Sequence, residues 1–143
     1  MSYCSESDVE DRIGPDQMIA LADHDGDGSA DSAVVQQAIR SASAVVDGYL
    51  GVRFAVPVQA PGGGTPEALR ARAVNLAVYF LKLGRDSVTE EARAQYESDV
   101  EWLREVVAGR ASLGVDPEPA EHSGAPAARW DGEPRLFGRD EPL

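Results

Sequence analysis

Aspartates recur through the stretch DHDGDGSAD at Asp23, Asp25, Asp27 and Asp31, with Gly26 and Gly28 between them. Counted from Asp23, the four carboxylates fall at positions 1, 3, 5 and 9 of a calcium loop, with Gly28 at the sharp turn of position 6 and the Ser29 carbonyl at position 7. Hard oxygen donors at that spacing suit a hard divalent cation. Position 12 is Val34, where an EF-hand has a bidentate glutamate, so calcium here would be held weakly or with a ligand borrowed from elsewhere. The same residues have a structural use, because aspartates and glycines satisfy their own backbone in a turn and cap the helix that follows. Ca²⁺ is thus the one cofactor the sequence raises, and otherwise none is expected.

Other chemistry is thin. His24 lies inside the acidic turn, where solvation suits it better than base chemistry, and His122 stands far along the chain. Cys4 is the single cysteine, so it has no intramolecular disulfide partner; without a basic setting to lower its pKa, it reads as a buried or idle thiol. Gly62, Gly63 and Gly64 have neither a GK[ST] nor a G-x-G-x-x-G frame around them and read as a connector. No nucleophile, base and oxyanion donor can be assembled from these residues, so no enzyme is expected.

The acidic turn runs straight into the element that must position it. Val34, Val35, Ala38, Ile39, Ala42, Val45, Val46, Tyr49 and Leu50 recur at the spacing of one helical face, and Gln36, Gln37, Arg40, Ser43 and Asp47 take the other. Asp31 or Ser32 is placed to cap this helix and Gly51 to end it in a left-handed turn. Before it, Ser5 with Asp8 forms a capping-box pattern for a short helix to Ile13, and Pro15 opens a second that brings Met18, Ile19 and Leu21 to a core. After it, Val52, Phe54, Val56 and Val58 alternate with other residues as a short extended segment or edge strand, Pro57 excluding a central position.

Thr65 as N-cap and Pro66 at the first helical position start a further helix over residues 67–83, apolar nearly all round between Ala73 and Leu81 and therefore central. Asn75 within it reads as a buried structural hydrogen bonder, the alternative being an inter-subunit contact. Ser87 with Glu90 is another capping-box pattern, opening a helix whose stripe is Ala92, Tyr96, Val100, Leu103 and Val107, with Trp102 beside it to complete the core or, as the alternative, to anchor a neighbouring chain. Gly109 ends it. The fold class is all-α, a small bundle of four to five helices with one short extended segment and an extended C-terminal tail.

Residues 1–109 make the helical domain, and residues 110–143, with five of the nine prolines and little periodicity, cannot build a core of their own. Within that tail, Trp130 next to Arg129, and Leu136 and Phe137 between Arg135 and Arg139, place apolar anchors beside cations, a pattern that suits docking on a partner. Such a tail is expected to order only on assembly. Acids outnumber Lys and Arg by 25 to 13, a net charge of −12 that speaks against binding nucleic acid through its phosphates. No charged-then-apolar leader and no apolar run long enough for a membrane is seen, so the expectation is a soluble protein made in the cytoplasm.

In the order of these parts the chain resembles the Mu-like bacteriophage head–tail connector (adaptor) proteins. The resemblance is carried by the opening MSY and the short helix with Asp8, Val9 and Ile13, the turn DHDGDGSAD, and the helix ending in DGYLGVRFAVPV. It continues through Pro66, the apolar central helix, EWLREVVAGRASLG and the closing WDGEPRLFGRD. It implies a non-catalytic virion protein at the head–tail joint, made in the bacterial cytoplasm. Such proteins form a ring of typically about twelve copies under the portal protein, carrying a downstream tail or stopper protein and extending a channel through which DNA passes. The alternative from the residues alone is a calcium-responsive helical module that binds a partner peptide.

Overall fold

Local capping decides where the helices begin. In the computed structural model, which describes residues 2–117, the Ser5 Oγ accepts the Asp8 N–H and the Asp8 carboxylate accepts the Ser5 N–H, a complete capping box that opens α1 (Glu6–Ile13). Gly14, at a φ of 88°, turns the chain directly into α2 (Pro15–Ala22), with Pro15 in its first turn. The acidic turn leads to α3 (Ser32–Leu50), followed by α4 (Glu67–Gly84) and α5 (Glu90–Val107). Among the described residues there is no strand, so the fold is all-α, as expected.

Helix α4 is the centre of the bundle. It packs chiefly against α3 and also touches α1, α2 and α5, burying Leu69, Ala73, Val74, Leu76, Ala77 and Leu81. The α3 stripe appears as expected, with Val35, Ala38, Ile39, Ala42, Val46 and Leu50 buried. Full burial of a Leu or Ile side chain stabilises by about 1.5–3 kcal/mol, so these two faces dominate the core. The core also runs past residue 109: Leu113 is buried, and Ala111 and Val115 pack on it. Val115 lies beside Phe54, so the described chain leaves the body at the C-terminal end of α3.

Several boundaries differ from the sequence reading. Gly51 is right-handed, with a φ of −61°, and is needed for a different reason: a Cβ there would lie 2.9 Å from the Asp47 carbonyl oxygen. Pro66 itself occupies the N-cap of α4, so Thr65 lies outside it, and Thr89 caps α5 by accepting the Ala92 N–H, in place of Ser87. The segment after α3 does not form an edge strand. Arg53 and Phe54 both donate to the Leu50 carbonyl in a turn that continues the helix end and breaks the alternation. Phe54 and Val58 are buried, while Val52 stands 73% exposed.

Three polar residues knit the elements together where the apolar pattern gave no sign. Tyr3 is buried; its N–H donates to the Ser43 Oγ, its hydroxyl donates to the Asp47 carboxylate, and the same hydroxyl accepts the Val58 N–H at 2.9 Å. Ser43, assigned to the polar face from its sequence position, is buried for this purpose. Asp99 is fully buried on α5, where Arg72 Nη1 donates to it at 2.9 Å and Gln95 Nε2 at 3.1 Å. Trp102 is half-buried with the Arg72 guanidinium 4.9 Å above its ring, and Asn75 accepts from the Arg12 Nε at 3.0 Å.

Cys4 is buried, and burial, reinforced by the Asp8 charge, pushes its thiol up to about 12. Buried and held protonated at pH 8, the thiol is expected to react with iodoacetamide only from the unfolded form. Mass spectrometry along a urea series checks this, the expected result being a labelling midpoint that coincides with the unfolding midpoint.

Candidate functional site

Helix α2 ends at Ala22, and the Asp31 N–H donates back to the Ala22 carbonyl at 2.9 Å, closing the acidic turn into a loop between α2 and α3. Inside the loop Asp23 accepts three backbone N–H groups, from Gly26 at 2.8 Å, Gly28 at 2.9 Å and Asp27 at 3.2 Å. Asp27 accepts from the Ser29 N–H and hydroxyl, and Asp31 accepts the His24 N–H instead of capping α3. Gly26 and Gly28 take φ values of 78° and 86°, which explains why glycine alternates with aspartate there.

The result brings all four sequence-predicted carboxylates together. One oxygen from each of Asp23, Asp25, Asp27 and Asp31 lies within 4.8 Å of the others. Their environments differ. The Gly28 N–H, followed by further N–H donors, holds Asp23 below the usual carboxylate range. At Asp25 the Asp27 N–H pulls downward, but the Asp23 carboxyl and the charges of Asp27 and Asp31 outweigh it and raise the pKa. Because the Asp23 value is depressed on folding, its contribution to the turn is present above the unfolded pKa and is lost as pH falls through the folded one. Asp23→Ala is expected to speed amide exchange at Gly26 and Gly28 by roughly tenfold without moving the rest of the protein, since a lost local bond opens only its own loop. Hydrogen exchange read residue by residue checks it.

Val34, at loop position 12, has its side chain elsewhere. It lines an apolar groove of ≈ 470 Å³ between α3 and α4, with Ala38, Phe80, Leu81 and Leu83. His24 stands at the groove's edge, where the acidic turn borders it. Arg85, just past α4, donates to the Asp23 carbonyl and ties the turn to this end of α4. The sequence reading missed the groove. Its available signal was that α4 is apolar nearly all round and has more apolar surface than its neighbours cover: Leu83 remains 52% exposed.

The other residues singled out from sequence fall into two groups. The glycine run forms a plain connector, with the Ala60 N–H on the Gly64 carbonyl at 2.8 Å. Trp130, Arg135, Leu136, Phe137 and Arg139, like His122, lie outside the described residues. No helix among the described residues is long and apolar enough to cross a membrane.

Comparison with known proteins finds similarity along most of the chain. Gene product J of Escherichia phage Mu is 29% identical over 143 residues, covering 99% of this chain and 97% of its own length. The Mu-like prophage FluMu protein gp36 of Haemophilus influenzae is 31% identical over 112 residues, covering 78% and 75%. The family model described as Bacteriophage Mu, Gp36 matches residues 3–130, from the buried Tyr3 through the five described helices into the C-terminal segment. With helices, turn and connecting segments all inside that match, the chain belongs to the bacteriophage Mu Gp36 family.

Proposed function

We propose that this protein is a structural head–tail connector, or adaptor, of a tailed phage or phage-like particle, and that it performs no catalysis. The observation that supports this reading above others is the family match over residues 3–130, which takes in the helical body and much of the C-terminal segment alike. In this role copies of the body stand side by side in a ring, of about twelve by the family resemblance, closed by head-to-tail contacts between unlike surfaces. The ring sits between the portal protein and a downstream tail or stopper protein. A net charge of −12 suits a wall past which DNA slides without adhering.

Electron microscopy of particles from a producing host with this gene deleted tests the proposal. DNA-filled heads accumulating apart from unattached tails, restored by complementation, are expected. Normal tailed particles would remove the connector role.

A second reading, the calcium-responsive module, draws on the convergence of the four carboxylates. It requires calcium to shift the protein's melting temperature strongly and Asp23→Ala to abolish the shift. The connector reading requires neither, because the loop's own N–H groups already occupy those oxygens.

A further inference from the structure

The groove between α3 and α4 has an apolar floor, with Val34 and Phe80 half-buried and Leu83 52% exposed, and it is bordered by the acidic turn. Its volume of ≈ 470 Å³ falls within the roughly 300–1,000 Å³ of built binding clefts. Arg85, near that border, is engaged on the Asp23 backbone carbonyl, and the exposed Asp25 and Asp27 carboxylates, which accept the Asp27 N–H and the Ser29 N–H and hydroxyl within the loop, have no cationic partner among the described residues. What the groove calls for is therefore a short stretch with one or two large apolar side chains flanked by cations. The chain itself carries one such stretch in Arg135, Leu136, Phe137, Gly138 and Arg139.

We propose that this groove is the receptor for segment 135–139 of a neighbouring copy of the same chain. The inference rests on the ring reading above, and it names the contact through which one copy holds the next. Leu136 and Phe137 fill the floor against Val34, Phe80 and Leu83, where removal of apolar surface from water drives the association. A flanking arginine meets the aspartates of the turn, which its planar fork can engage two oxygens at a time. Residues 118–134 give a reach of up to about 60 Å at roughly 3.5 Å per residue, ample to pass from one body to another. The acidic turn then has a task beyond its own backbone: it sets which way along the groove the incoming segment runs.

A synthetic peptide of residues 129–140 tests this, titrated into the full-length protein carrying Leu136→Ser and Phe137→Ser so that its own segment is silent, with amide and methyl resonances followed by NMR. Shifts centred on Val34, Ala38 and Leu83 are expected. Affinity should fall roughly tenfold in the exposed-site variant Leu83→Asp and in the double variant Asp25→Asn with Asp27→Asn, which keeps the oxygen acceptors of the turn and removes two charges. Shifts that are absent, that map elsewhere, or that are equal with a peptide carrying serine at both apolar positions overturn the docking. The connector role fails separately: a groove that takes the peptide, in a protein whose deletion leaves tailed particles normal, keeps the docking and loses the connector. Heads and tails that fail to join while the peptide does not bind show the reverse.

Discussion

Arg72→Ala is expected to destabilise the helical body by about 3–5 kcal/mol, because it leaves a buried carboxylate without its cation. Asp99 is fully buried, and its partners are the Arg72 guanidinium at 2.9 Å and the neutral Gln95 amide at 3.1 Å. Arg72 also covers the Trp102 ring at 4.9 Å, a contact that contributes about 0.5–1 kcal/mol more. Urea unfolding followed by tryptophan fluorescence measures the loss. A companion variant separates the broken pair from the missing side chain: Arg72→Met combined with Asp99→Leu removes both charges and is expected to lie within about 1–2 kcal/mol of the parent. If the single and double variants are equally unstable, packing rather than charge holds α4 to α5.

Tyr3→Phe is the second large effect, about 2–4 kcal/mol, although it deletes one oxygen atom. The ring stays, but the Val58 N–H is left buried without an acceptor and the Asp47 carboxylate loses a donor. The pH dependence gives this variant its own signature. Burial first, then the bond to Asp47, raises the Tyr3 pKa well above its ordinary value. A group whose pKa is raised on folding contributes stability that is complete below its unfolded value, about 10 for tyrosine, and is lost as pH rises beyond it. The parent should therefore lose stability steeply above about pH 10, and Tyr3→Phe should lose much less there, the remainder coming from groups raised in the same sense, Cys4 and Tyr96 among them. Thermal melts at a series of alkaline pH values, read side by side, show whether the two curves converge.

The helices were legible because their signals are local. The recurrence Val35, Ala38, Ile39, Ala42, Val46 and the Ser5–Asp8 capping box each need only a handful of neighbouring residues to be recognised. The convergence of Asp23, Asp25, Asp27 and Asp31 was legible for the same reason, since their spacing along one loop determines how they meet. What escaped depends on partners distant in sequence. Ser43 and Asp99 look like solvent-facing residues until Tyr3, 40 positions earlier, and Arg72, 27 positions earlier, are brought against them. The groove escaped likewise, because its two walls belong to different helices and neither shows what the other leaves uncovered.

The two ends of α3 give the body a direction. The described chain departs beside Phe54, at the C-terminal end of that helix, whereas the groove and acidic turn lie by its N-terminal end, roughly 30 Å away at about 1.5 Å per residue. If segment 135–139 of one copy docks in the groove of another, as proposed, two copies that exchange segments close as a pair, whereas one-way links leave a groove free at one end and a segment free at the other. Such links either close into a circle or continue as an open spiral, and the wedge between successive bodies, rather than the strength of the link, decides which. On that docking proposal, changes on the flanks of the bundle should alter how many copies join, while changes in the groove should decide whether copies link at all.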